Sequence, residues 1–454
     1  MRTREMGSKK KKNTKARRVL MLLFAVALPS FIAISFFMYK HRNNSEIPTL
    51  LHHPISSQPY SYNPTNFSQK ATPSLEASLF PPPPPPPPPA ATFQDLREAE
   101  ADPYHNWELF SRDFQEMLQH FKIFVYPDIF DKANPFANIF LPLDKNPFQN
   151  PRIGNYFSEH IFKISLLNSS VLTSTPRDAH FFYLPFSVNN LRNDPRVRSE
   201  LRISEYVAEY TSSVARRFGF WNASGGADHF YVCCHSVGRD ATSRHHWLHN
   251  NVIQVTCSSS YFQRFYVAHK DVGLPQIWPR SHQIALNPPH LRHRLVFFSG
   301  RVQNAQVRKQ LIDLFGNHSE MDIFNGSSTF SYEEGFKNSR YCLHVKGYEV
   351  NTARLSDSIH YGCIPVIISN YYDLPFANVL DWSKFSVTIN QRDIPLLRTI
   401  LLGVTKETYL SMYHNLCKVR RHFVWHMEPR GYDAFHMTVY QLWLRRSIHR
   451  LSSL

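Results

Sequence analysis

Short apolar runs alternating with helical stretches from Phe121 onward predict an α/β fold of parallel sheets covered by helices. Two further observations call for two sheets rather than one. The alternation breaks between Pro279 and Pro289 and then restarts, and 454 residues exceed the about 250 to 300 that one core accommodates. Two Rossmann-like domains facing a cleft are expected, with ligands at the carboxyl ends of the strands.

The chain opens on a basic segment. Residues 1–42 hold 11 Lys/Arg against one Glu, whereas the remaining 412 residues carry 40 Lys/Arg and 34 Asp/Glu. The net charge of +16 is thus mostly N-terminal. With no long basic run in the globular part, nucleic acid is not an expected partner. Val19 to Tyr39 contains no charge and makes about 31 Å of helix, enough for a hydrocarbon core of about 30 Å. Nine Lys/Arg precede it, and only Lys40 and Arg42 follow closely. The positive-inside rule then leaves residues 1–18 in the cytosol and the rest of the chain in the lumen. A cleaved signal peptide is the alternative, but the stretch ends in Phe36-Phe37-Met38-Tyr39 rather than in small residues. Residues 40–110 form a Pro-rich lumenal stem. Its nine consecutive prolines, Pro81 to Pro89, make a polyproline II spacer of about 28 Å.

A lumenal chain meets glycosylation machinery and oxidising conditions. Sequons stand at Asn43, Asn66, Asn168, Asn222, Asn317 and Asn325. All six cysteines, Cys233, Cys234, Cys257, Cys342, Cys363 and Cys417, fall on that side and leave 15 pairings open. Cys342 and Cys363 read equally well as small buried hydrophobes.

Residues 111–285 are expected to form the first domain. It has strands at Phe121–Tyr126, His180–Phe186 and Asp228–Val232, and helices at Ser158–Leu167 and Pro195–Phe218. The second, 286–408, has strands at Leu295–Ser299, Met321–Phe324, Tyr341–Val345 and Pro365–Ser369. Its helices are Ala305–Phe315, Tyr332–Asn338 and Thr352–Tyr361. Residues 409–454 read as aromatic-rich helices packing on the domains.

The chemistry gathers after the strands of the second series. In Tyr341–Phe376 a strand, a turn at Gly347, a helix and a buried strand follow one another. Asn351 or Thr352 is the expected N-cap and Gly362 the stop. The helix start then faces the strand ends, where amides and dipole suit a diphosphate and Arg354 adds a guanidinium. Glu349 precedes that helix and Asp357 lies on it, each able to accept a ribose or sugar hydroxyl. The bland alternative is a solvated Arg354–Asp357 ion pair. In Phe297–Arg301, Gly300 permits a tight turn that places Arg301 at the strand's carboxyl end. In the first series Asp228 and His229 are general-base candidates, with His235 beyond the strand, although a histidine is more often structural. Asp-x-Asp, Walker, HExxH and GxSxG motifs are lacking. A metal is not required.

At these residues the chain resembles the exostosin-like glycosyltransferases of family 47, especially their plant members. The resemblance runs from about Phe121 to Trp425. It is carried by SRYCLHVKGYEVNTARLSDSIHYGCIPVIISNYYDLPF, GGADHFYVCCH, FFSGR and DAHFFYLPF. It implies a Golgi type II membrane enzyme of GT-B architecture with no cofactor. Such enzymes invert the anomeric centre while moving xylose, arabinose, galactose or glucuronic acid from a UDP-sugar to a wall polysaccharide. By position, Arg301 and Arg354 resemble diphosphate ligands and Glu349 a donor-site carboxylate, with Gly300 and Gly347 beside them. Asp357 stands where many members have Glu, and His344-Val345-Lys346 replaces a Pro-containing segment. The partners implied are the UDP-sugar, a polysaccharide acceptor, the Golgi membrane and a glycosyltransferase complex. The rival readings are a non-catalytic scaffold subunit in such a complex and, more remotely, a lectin-like protein.

Overall fold

Short, nearly all-apolar runs such as Ile364–Ile368 suit strands buried on both faces, which only parallel sheets covered by helices provide. The computed structural model describes residues 102–452, except 131–134, 141–145, 198, 263–264, 281–283 and 327–330. The expected tail (1–18), anchor (19–39), proline run and sequons Asn43 and Asn66 lie outside these. Among the described residues no helix is long and apolar enough to cross a membrane.

The strands are β1 (Ile123–Val125), β2 (Leu172–Thr173), β3 (Phe181–Tyr183), β4 (His229–Cys233), β5 (Ile253–Thr256) and β6 (Val272–Gly273), followed by β7 (Arg294–Ser299), β8 (Met321–Phe324), β9 (Ser339–Val345), β10 (Ile364–Ile368) and β11 (Val387–Thr388). They form a six-stranded sheet, β2-β1-β3-β4-β5-β6, and a five-stranded sheet, β11-β10-β9-β7-β8. All pairs are parallel. Counted from its own first strand, each sheet starts in the doubly wound order 2-1-3-4-5. The strand order reverses between β1 and β3 in one sheet and between β7 and β9 in the other. A crevice opens outside the carboxyl ends at such a reversal.

The main helices are α1 (Trp107–His120), α2 (Phe157–Leu167), α3 (Glu200–Arg217), α4 (Ser236–Thr242), α5 (Gln306–Phe315), α6 (Tyr332–Asn338), α7 (Arg354–His360), α8 (Lys406–Val419) and α9 (Ala434–Ser452). Ser199 caps α3 by accepting from Arg202 N, and Glu200 and Arg217 oppose the dipole at its two ends. Strand side chains alternate between layers. Phe181, Tyr183, Phe230 and Val232 join one core. Phe182, Tyr231 and Cys233 face the other, against Val207 and Val214 of α3.

Three expectations change. The stem does not run to 110: Asn106 caps α1, Tyr104 bridges Leu380 and Phe110 is buried, so 102–110 belongs to the folded part. The strands β2, β5, β6 and β11 escaped prediction; of these β2, β6 and β11 are two-residue edge strands with no period to read. Finally, Cys342–Cys363 and Cys234–Cys257 are disulfides, while the Cys233 thiol is buried and Cys417 exposed.

Candidate active site

The crevice between β7 and β9 is built around arginines held by carbonyl oxygens. From α7, Arg354 donates through Nε to Ser299 O at 2.7 Å. From α5, Arg308 donates to Val345 O and Lys346 O at 3.0 Å each and to Arg301 O at 3.3 Å, tying the ends of β7 and β9 together. Both strand ends need glycine. A Cβ on Gly300 would stand 3.0 Å from Arg354 Nη2, and one on Gly347 would stand 2.8 Å from Arg308 Nη2. Burial, and then the charge of Arg354, lower Arg308 to about 10. Arg301 is exposed on the same lip. Among the described residues none of the three makes an ion pair with a carboxylate.

The helix start differs from expectation. Neither Asn351 nor Thr352 caps α7: Ala353 precedes it in helical conformation without a capping bond. Tertiary partners have claimed both side chains. Asn351 donates to Gln276 Oε1 at 2.7 Å, and Thr352 Oγ1 lies 3.1 Å from His344 Nδ1. His344 is wholly buried, and desolvation lowers it to about 3, so it stays neutral.

The carboxylates also sit differently. Asp357 makes no pair with Arg354. It is fully buried, ion-paired with Arg280 and bonded by Tyr332 OH at 2.8 Å, so both oxygens are engaged. It anchors the segment between the sheets rather than presenting an acceptor to a sugar. Glu349 reaches across to the first sheet, where Ser258 Oγ donates at 2.6 Å and Arg239 Nη2 lies 3.3 Å from both oxygens.

The general-base candidates of the first series are not brought to the cleft. Asp228 and His229 lie at the amino end of β4, and His229 is buried between Tyr126 OH at 2.7 Å and Asp228 at 2.7 Å. The carboxyl end of β4 instead delivers His235, its ring 4.6 Å from that of Tyr156 and tilted by 31°. Its Nδ1 accepts from Val237 N at 3.1 Å, which places the neutral ring's proton on Nε2. Burial and Arg192 lower it to about 4. His235 can therefore donate to a bound hydroxyl but is poorly set to take a proton.

Arg301, Arg308, Arg354, Glu349, Asp357 and His235 line one cavity of about 1180 Å³ between the two sheets, with Trp278 and Tyr348 at its edge. Among the described residues no cluster of three or more His, Cys, Asp or Glu is arranged to hold a metal ion. Asn168, Asn222, Asn317 and Asn325 are all exposed. Sequence reasoning missed Arg308, Arg280, Arg239 and Ser258. Only Arg308 left a signal, sharing the apolar face of α5 with Leu311 and Phe315 at helical spacing.

The family model of the exostosin GT47 domain matches residues 117–404. A probable glycosyltransferase of Arabidopsis thaliana is 34% identical over 358 residues, which cover 76% of this chain and 65% of the relative, less than two thirds of its length. A probable glucuronosyltransferase of Oryza sativa subsp. japonica is 26% identical over 316 residues (63% of this chain, 75% of the relative). A probable beta-1,4-xylosyltransferase of Arabidopsis thaliana is 25% identical over 316 residues (63% and 76%). Among solved structures, the crystal structure of TarM aligns at 8% identity and a TM-score of 0.29 over 54% of this chain and 58% of its own, too slight a likeness to carry an argument. With its exostosin domain spanning both sheets and the crevice between β7 and β9, the chain belongs to the exostosin GT47 family of glycosyltransferases.

Proposed function

We propose that this protein transfers xylose, arabinose, galactose or glucuronic acid from a UDP-sugar to a hemicellulose or pectin chain, with inversion, in a GT-B-like arrangement. One observation carries the donor site. Arg301, Arg308 and Arg354 converge on the reversal between β7 and β9 without a neutralising carboxylate, an arrangement suited to a diphosphate. The names of the xylosyl- and glucuronosyltransferase relatives support xylose and glucuronic acid among these sugars. The basic N-terminus, the apolar stretch 19–39 and the exposed sequons support a Golgi type II topology with these domains in the lumen, and glycosylation at the six asparagines. The domain limits 111–285, 286–408 and 409–454 stand in the proposal with one change, an earlier start near 102.

Inversion needs a proton acceptor on the face opposite UDP. With Asp228 and His229 outside the cavity and Asp357 saturated, Glu349 is the carboxylate of the cavity that an acceptor hydroxyl can reach. It sits where the sheets meet. Leaving UDP is stabilised by Arg301, Arg354 and the Arg308-braced loops, and the residues supply this without a cofactor. The scaffold reading draws on a different observation: among the described residues the first sheet offers the cavity no carboxylate, and the Nδ1 of His235 is already taken by Val237 N. Incubating the full chain with UDP-xylose, UDP-arabinose, UDP-galactose or UDP-glucuronic acid and wall oligosaccharides decides between the two. Transfer with one donor is expected; UDP binding without transfer from any of them favours the scaffold.

A further inference from the structure

A second ligand surface lies outside the cavity, where the loops after β5 and β10 meet. Residues 259–261 and 371–373 run antiparallel: Ser260 bridges Tyr372, Tyr261 N donates to Tyr371 O and Asp373 N to Ser259 O, both at 2.9 Å. The junction displays three exposed rings, Tyr261 (59%), Phe262 (76%) and Tyr371 (60%), with Phe262 and Tyr371 centred 5.3 Å apart and tilted by 31°. Tyr371 holds φ at 63°, a left-handed conformation that disfavours any residue with a Cβ. A glycine would relieve that strain, and an exposed ring returns no core packing for it. Beside the rings opens a cavity of about 470 Å³, bordered by Tyr261, Asp373, Asn378 and Gln441. Gln441 is nine-tenths buried and its Nε2 has no hydrogen-bond partner among the described residues.

We propose that this surface binds the acceptor polysaccharide away from its reacting end, stacking pyranose C–H faces on Phe262 and Tyr371 while sugar hydroxyls enter the neighbouring polar cavity. Two features favour a carbohydrate over an apolar protein face. Flat rings stand next to carboxylate and amide groups, as a ligand with apolar faces and hydroxyl edges requires. The surface also lies close to the catalytic cavity: Ser258, bonded to Glu349, is four residues from Phe262, at most about 14 Å along the chain. The proposal rests on the polysaccharide-acceptor reading above but not on the donor sugar.

The test is affinity electrophoresis of the full chain in native gels containing xylan, xyloglucan, arabinan or homogalacturonan, with UDP affinity measured in parallel. At least one polymer should retard the wild-type protein. Its dissociation constant should rise about tenfold in Phe262→Ala/Tyr371→Gly, while UDP affinity stays within about twofold. Migration unretarded by all four polymers, or equal retardation of wild type and double variant, overturns the proposal. Should the double variant lose UDP binding through misfolding, Phe262→Ala alone decides: about threefold weaker retention supports the surface and unchanged retention refutes it. A wild-type protein that is retarded but does not bind UDP would reject the donor site and leave this surface standing.

Discussion

Arg308 and Arg354 are held by main-chain carbonyls, which orient a guanidinium without cancelling its charge, whereas Arg280 is neutralised by Asp357. On that division Arg354 remains the proposed anion ligand, Arg308 braces the loops beside it and Arg280 is architectural. Asp357→Asn leaves Arg280 without a counter-charge, so it should cost about 3 kcal/mol of stability, read as a lower unfolding midpoint. UDP affinity of the folded fraction should change little, and a stability equal to wild type would refute the anchoring role. For Glu349→Gln the split between kcat and KM is diagnostic. Loss of a proton acceptor lowers kcat by about 10² to 10⁴ at constant donor KM, whereas a donor-hydroxyl ligand would raise donor KM instead. Arg354, Gly300 and Glu349 were legible as cavity-lining residues because each lies between the end of a strand and the first turn of the next helix. Arg239 and Ser258 were not: they meet Glu349 through contacts 110 and 91 residues apart in sequence, which no local pattern encodes.

The loop from β9 into α7 shows how an element's environment overrides its local code. Asn351-Thr352 before an amphipathic run reads as a capping pair, yet Gln276 and His344 take both side chains and the helix begins at Arg354 uncapped. His344 also lies 3.0 Å from Val350 O through Nε2, so one neutral imidazole holds both ends of the 350–352 loop. Desolvation depresses its folded-state pKa to about 3, as burial depresses His422 to about 4. The unfolded chain therefore takes up protons first, from about pH 6.5 downward. The stability these groups contribute is intact above that pH and is lost as pH falls toward 3 to 4. Unfolding midpoints should decline over that window, and His344→Gln should flatten the decline; an unaltered slope would place the acid sensitivity elsewhere. Strands β7 to β10 were readable to within two residues because each holds a short, mostly apolar run bounded by turn or helix signals. Their neighbour order was not, since a parallel register is set by crossovers and not by any strand's own residues.

At the scale of the whole molecule the two ends of the described chain close the fold. From α1, Asp113 accepts from Tyr440 OH at 2.8 Å and Trp443 Nε1 at 3.0 Å on α9, and Phe435 of α9 packs 5.4 Å from Phe162 of α2. The aromatic tail thus returns to the first sheet's layer. A chain starting at 102 should melt cooperatively, and one starting at 111 should melt at a lower temperature, having lost Tyr104, Trp107 and Phe110; equal midpoints would return 102–110 to the stem. The two disulfides close loops of 23 and 21 residues, worth about 3 kcal/mol each by chain entropy. Reduction should lower the midpoint accordingly, whereas indifference to reductant would deny them a structural part. Most of the proposed chemistry hangs on a diphosphate site at the reversal between β7 and β9. Titration calorimetry of UDP into wild type and Arg354→Ala tests it directly. The variant should stay well folded and its UDP affinity should fall roughly ten- to 150-fold, the loss of one charge-assisted hydrogen bond of about 1.5 to 3 kcal/mol. Wild-type UDP affinity in a folded Arg354→Ala protein would contradict a diphosphate site there.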